Sequence, residues 1–429
     1  MFENPFFPNT STDEAYALLR RIQKLQQDEP MKKRRRRGPR KKVSLALQGG
    51  GSHGAFAWGV LDRLLEDDRI EIDCITGTSA GAVNAAAISA GLSEGGPQRA
   101  RQVMAKVWNQ VALHGAFSPI NPTHVERMMG VKNLDKTWAW QAANYWKRIL
   151  SPYQTNPLNI NPLERIIANE VDFDSVRKRG KKLFLAATDV EAGQTQLFTG
   201  DKVSAKAVAA SACLPDAFPA VKIGDRKYWD GGYTSNPPMM PLVRRGEAED
   251  IMVVQLTPTV RPGEPTSVDG IEFRTRELTF NSDLMSEMRA VERQSDILSS
   301  LPKDMQEKVW KEKGMRAVRL HNIAPPKSML KLNKSSCFNT TPDFLFGLYK
   351  EGREHAEAWL EQNFRHIGKK SSFEVGPVAG LENDLARLDR RRPVVRPQVA
   401  SVTAEPKARR AKSAPSLEDR LTGVAKPPL

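Results

Sequence analysis

Apolar residues between positions 43 and 365 fall into two alternating patterns. Short, nearly unbroken runs at 43–48 (VSLALQ), 72–76, 183–187 and 251–256 suit strands buried on both faces. Between them, the stretch 54–67 (GAFAWGVLDRLLED) places Phe56, Val60, Leu61, Leu64 and Leu65 at helical spacing. Residues 80–92 form a small-residue segment that suits a helix lying close on a sheet. Further strands are predicted at 196–198, 227–229 and 317–320, and further helices at 97–111, 162–170, 203–212, 282–300 and 342–364. Strands alternating with helices predict an α/β fold, a three-layer α/β/α arrangement around a largely parallel central sheet. Reactive groups in such folds gather at the carboxyl ends of the strands.

Charge narrows the choice of partner. The net charge is +15, but nine of the positive charges sit in residues 32–42 (KKRRRRGPRKK), and residues 366–429 carry thirteen Lys or Arg against seven Asp or Glu. The body from 43 to 365 is nearly neutral. The organisation expected is therefore an N-terminal segment (1–42), a catalytic domain (43–365, with its motifs in 43–260) and a basic, Pro- and Arg-rich disordered tail (366–429). The basic run has no interleaved aromatics for base stacking, which argues against nucleic acid. Contact with an anionic membrane surface through residues 32–42 is the alternative to a solvated linker. The three cysteines, Cys74, Cys213 and Cys337, form no paired motif, and there is no basic-then-apolar leader at the N-terminus. A cytoplasmic protein, peripheral to membranes at most, is expected.

Three segments end predicted strands and carry the candidate chemistry. Gly77-Thr78-Ser79-Ala80-Gly81 places a serine on a strand-to-helix turn, with glycines two positions away on either side that let neighbouring chain pass. Such a turn exposes the Ser79 hydroxyl at a helix amino end, which favours developing negative charge. The same residues also suit a plain turn with Ser79 as a helix cap. Gly49-Gly50-Gly51-Ser52-His53-Gly54 reads as GxGxxG, a dinucleotide-loop pattern, but Glu71 and Asp73 fall before the end of the next strand, where the ribose acid would be needed. An oxyanion hole made of backbone amides is the other use of such a loop. Asp230-Gly231-Gly232 follows a strand and holds a carboxylate forward on a tight turn. Of the six histidines, only His53 lies in such a loop, so Asp230 is the candidate base for Ser79.

This ordered set, GxGxxG, then GxSxG about 30 residues on, then DGG about 150 residues beyond the serine, resembles the patatin-like phospholipases. The similarity extends to Thr188-Asp189 with Gly193, to Ala210-Ser211-Ala212-Cys213-Leu214-Pro215 with Phe218-Pro219, and to Asn236-Pro237-Pro238. The resemblance implies a patatin-like fold and hydrolysis of lipid acyl esters, with Ser79 as nucleophile and Asp230 as proton acceptor. It implies an oxyanion loop of Gly49, Gly50, Gly51 and Gly54, supported by Gly77, Gly81, Gly231 and Gly232. His53 departs from the Arg or Lys that members carry before the last loop glycine. No metal or organic cofactor is expected, since HExxH, CxxC and calcium-loop patterns are absent from the sequence. Three rivals stay open: a Ser-His-Asp esterase using His321 or His355, a nucleotide-binding oxidoreductase, and a lipid-binding protein without catalysis.

Overall fold

Successive residues of the first strand go to opposite sides of the sheet, and both sides are buried. The computed structural model describes residues 39–375, apart from Phe117, Pro119 and Arg148, together with Ala17 and Arg20. The basic run as far as Gly38 and the tail from residue 376 lie outside the described residues.

Strands β1 (Lys41–Leu47), β2 (Ile70–Thr78), β3 (Lys182–Asp189), β4 (Gln194–Phe198), β5 (Val221–Ile223), β6 (Arg226–Asp230), β7 (Asp250–Val254) and β8 (Arg319–Ile323) form one sheet. Its order is β5-β6-β3-β2-β1-β7-β8, with β4 added on β3. The β3-β2-β1-β7-β8 portion is parallel, and β4, β5 and β6 are antiparallel additions. The fold is thus α/β with a largely parallel central sheet, as the alternating pattern predicts.

Period-two alternation sorts the two cores. Leu45 and Leu47 of β1 and Met252 and Val254 of β7 face one side, against helices α1 (Gly54–Glu66) and α2 (Ala80–Ala116). Ala46, Ile251 and Val253 face the other. The remaining helices are α3 (His124–Met128), α4 (Trp138–Lys147), α5 (Pro152–Thr155), α6 (Pro162–Glu170), α7 (Phe173–Arg179), α8 (Ala205–Ser211), α9 (Met240–Arg245), α10 (Val268–Ser299), α11 (Lys303–Lys313) and α12 (Pro342–Asn363). Leu242 and Val243 of α9 and Leu284, Met288 and Val291 of α10 cover the second face. Each such buried side chain contributes about 1.5–3 kcal/mol relative to exposure.

Several boundaries differ from the sequence reading. α2 joins the two helices expected at 80–92 and 97–111 across a kink at Gly95 and Gly96, just before Pro97. α10 starts at Val268, well before the expected 282. β1 begins at Lys41, inside the basic run. The Lys41 ammonium donates to the Phe364 and Ile367 carbonyls, and Lys42 pairs with Glu247 at 3.1 Å. These two charges belong to the folded body. At the other end Ile367 is fully buried and the Ser372 amide donates to the Leu320 carbonyl, so ordered packing continues past 365.

Candidate active site

The register along β3 brings Ser79 and Asp230 together. β4 occupies one edge of β3 from Leu185 to Asp189, so both β2 and β6 must use the other edge. β2 pairs along it as far as Thr78↔Ala186, and β6 takes over at the next residue, Ala187↔Asp230. Ser79, the first residue to leave β2, therefore meets Asp230, the last residue of β6.

The backbone at Ser79 is strained, with φ +55°, in a region that ordinary side chains seldom adopt. Its surroundings hold it there. The Ser79 amide donates to Ser211 Oγ (2.9 Å), which in turn donates to the Ala186 carbonyl (2.6 Å), and the Ser79 carbonyl accepts the Ala82 and Val83 amides that start α2. Close approach explains the flanking glycine Gly81, where a Cβ would lie 2.1 Å from the Leu47 carbonyl oxygen.

Asp230 is buried, and its Oδ1 accepts the Gly232 amide at 2.8 Å. Its Oδ2 makes no hydrogen bond of good geometry among the described residues. Burial pushes this carboxyl up to about 6; the Gly232 amide and the nearby Ser79 hydroxyl pull it back only in part.

The glycine loop splits into two kinds of residue. Gly50 and Gly51 line the same cavity as Ser79 and Asp230, and no backbone group of the described residues takes up their amides. Gly51 has φ +58°, and a Cβ there would lie 2.5 Å from the Cys337 carbonyl oxygen. Gly49 and Gly54 differ from the expected role: the Gly49 amide donates to Asn236 Oδ1 at 2.7 Å, and the Gly54 amide turns back to the Gly51 and Ser52 carbonyls. Neither amide is free for an oxyanion.

His53 is buried in the cavity wall, and its Nε2 is 2.8 Å from Ser336 Oγ. Burial, helped by the positive charge of Arg261, lowers it to about 4, so it is neutral near pH 7. The other histidines proposed as bases lie elsewhere. His355 packs on Phe56. His321 Nε2 is 2.8 Å from Asp250 Oδ1 and its Nδ1 is 2.8 Å from Ser372 Oγ, where β7 begins. Neither lines the Ser79 cavity.

The cavity's cover comes from beyond residue 260. Phe273, Arg276 and Phe280 of α10 and Leu332, Lys334 and Cys337 of the following loops close over Ser79, with Leu214 and Leu256 completing apolar walls. Asp216 ties two of these parts together, 3.0 Å from Arg276 and 3.7 Å from Lys334. The cavity is partly open to solvent and measures about 60 Å³, below the ~300–1,000 Å³ of common small-ligand sites.

Sequence reasoning passed over Ser211, Asn236 and the α10 face as parts of the site. Ser211 and Asn236 stood inside recognised segments without a role. The α10 residues are spaced at i, i+3 and i+7, a helical face legible in the text but unconnected to Ser79 until folded.

Residues 45–243 match the family model described as patatin-like phospholipase. This stretch is a patatin-like phospholipase domain. It holds Ser79, Asp230 and most of their supports, while the cover lies outside it. At the level of the family the chemistry is lipid acyl hydrolysis. A comparison with curated proteins gave no match. Among solved structures, VipD from Legionella pneumophila is 14% identical, with 82% of this chain and 80% of that chain covered and a TM-score of 0.31. The full-length SpcU–ExoU complex from the type III secretion system of Pseudomonas aeruginosa is 16% identical, with 64% and 59% covered and a TM-score of 0.27. At these scores neither likeness carries an argument.

Proposed function

We propose that the chain hydrolyses carboxylic esters of phospholipids or related acyl lipids through a Ser79–Asp230 dyad. Ser79 Oγ attacks the acyl carbonyl while Asp230 takes its proton and passes it to the leaving alcohol. Water then attacks the acyl-enzyme by the reverse relay and releases the fatty acid. A carboxylate is a weak base toward a hydroxyl, but one raised to about 6 by burial is better matched than an exposed aspartate. The Gly50 and Gly51 amides are the donors for the oxyanion, a narrower set than the four glycines of the sequence motif. Leu214, Leu256, Phe273 and Leu332 offer the acyl chain an apolar bed. No step in this scheme calls on a metal or organic cofactor.

The observation that carries the reading is the meeting of a strained serine and a buried, underbonded carboxylate on one edge of β3, beside two free loop amides. Labelling with a fluorophosphonate probe and peptide mapping tests it. Modification at Ser79 is expected; modification elsewhere, or no labelling with ester turnover retained, rejects the dyad.

A further inference from the structure

Apolar exposure is concentrated in two tracts of the described residues. Of the sixteen large apolar side chains most open to solvent there, ten fall between 125 and 160 and four between 260 and 278. Met129 is 78% exposed, Trp138 74% and Leu158 80%, beside Tyr145 and Trp146. α4 divides its aromatics. Trp140 turns in against Phe338, with ring centroids 5.3 Å apart, while Trp138, Tyr145 and Trp146 turn out. Exposed apolar side chains gathered in this way mark an interaction site.

Both tracts are joined to segments that line the Ser79 cavity. The first is bonded to the covering loops: Asn133 Nδ2 donates to the Lys331 carbonyl, the Asp135 amide donates to Ser335 Oγ, and Asn339 Nδ2 donates to the Lys132 carbonyl. It also touches the Leu214 loop, where Tyr153 Oη accepts the Ala220 amide. The second tract includes the start of α10, whose inner face covers Ser79.

We propose that this rim is a membrane-docking face that seats the cavity mouth on an anionic phospholipid bilayer. The proposal rests on the lipid-hydrolase reading above. Tryptophan and tyrosine suit the headgroup boundary, where an apolar ring and a polar edge are both satisfied. The charge leans the same way: residues 121–160 carry five Lys or Arg and two Asp or Glu, and residues 260–278 carry three and four, a net +2 over the two tracts. Lys147 lies over the inward-turned Trp140 and Phe338 rings, at 5.4 and 5.0 Å from their centroids. A lipid drawn from the bilayer at this rim reaches Ser79 without its acyl chain crossing water. This places membrane contact on a surface built into the domain, separate from the basic run at 32–42.

The test uses the full chain and vesicles of ether-linked phosphatidylcholine and phosphatidylserine, which cannot be hydrolysed. The parent is expected to sediment with them. Met129→Ser/Trp138→Ser/Trp146→Ser should bind at least about tenfold more weakly, from the loss of three apolar insertions, and should hydrolyse a soluble short-chain ester at the parental rate. Leu158→Ser/Ile160→Ser repeats the measurement should the triple variant not fold. Parental binding by folded rim variants overturns the proposal. So does loss of binding on neutralising residues 32–37 while the rim variants bind normally. A parent that ignores vesicles, yet self-associates through side chains lost in the triple variant, makes the face a protein interface and also overturns it. Ester turnover without vesicle binding rejects docking alone; rim-dependent vesicle binding without turnover rejects the hydrolase reading and leaves the docking face standing.

Discussion

At the carboxyl end of the sheet Ser79 stands at φ +55° beside Asp230, and the one histidine among the described residues lining their cavity, His53, is buried against Ser336. At the amino end Ser372, His321 and Asp250 are joined by two contacts of 2.8 Å, a set closer by residue type to a hydrolase triad. Leu256, on the Ser79 cavity, is six residues beyond Asp250 along the chain, ~20 Å at ~3.3 Å per residue. The second set is saturated. Asp250 also accepts from Arg319 and from the Gly368 amide, and His321 is fully buried. A void of about 350 Å³ lies nearby between Glu249, Arg316, Arg319 and Lys369, but none of the trio lines it. Three features support the proposed centre at Ser79 and Asp230: a strained backbone, a carboxylate with bonding capacity left, and a cavity facing both. The amino-end trio has the residue types and lacks these.

Paired substitutions at the two ends test this contrast. Ser79→Ala should abolish ester turnover with little change in Tm, while Ser372→Ala keeps turnover. Activity that survives Ser79→Ala and vanishes with Ser372→Ala would invert the assignment.

The aspartates should separate activity from stability. Asp230→Asn is expected to be as inactive as Ser79→Ala, and the double variant no worse, because the two act as one unit. The folded pKa of Asp230 is raised from 3.8 to about 6, so its ionisation costs stability as pH rises through about 6. At pH 8 the asparagine variant should therefore be more stable than the parent, by roughly 2–3 kcal/mol at most. Asp250 has the opposite sign. Burial works to raise it, but His321, Arg319 and the Gly368 amide more than offset this and hold it at about 2. Its contribution is complete above the unfolded value and is lost as pH falls from about 4 toward 2. Asp250→Asn should lower stability by about 3 kcal/mol or more, since it leaves buried partners unmatched. Denaturant titrations of both variants measure this, and shifts of the same sign would dissolve the contrast.

The histidines give the smallest expected effects on catalysis. His53 lies at about 4, so the rise of kcat/KM with pH should centre near 6, on Asp230, and His53→Ala should leave that midpoint in place. A midpoint that moves in His53→Ala brings the imidazole into the reaction. His321→Ala should lower Tm and leave turnover per folded molecule unchanged.

The strands of the parallel sheet were legible because their runs are apolar on both faces; VSLALQ and the run at 251–256 reappear as β1 and β7. β5 is only three residues long and was missed, as was α11, whose charged sequence buries no side chain. The turns that carry Ser79 and Asp230 were readable from the glycines beside them, which record close backbone contacts. Gly49 and Gly54 were assigned alike with Gly50 and Gly51 because the motif does not say where each amide points. Asn236 decides that, from 187 positions away. The rim had no signature in the text, since Trp138 and Trp140 read alike until one meets Phe338.

The shared edge of β3 also sets an order of assembly. Ser79 and Asp230 are 151 positions apart and adjoin only when β2 and β6 have both paired with the same strand. Helices such as α1 and α12 are held by bonds between near neighbours and need no such closure. Refolding from denaturant should restore helical signal before ester turnover, and turnover then becomes a clock for the slowest, longest-range pairings of the sheet.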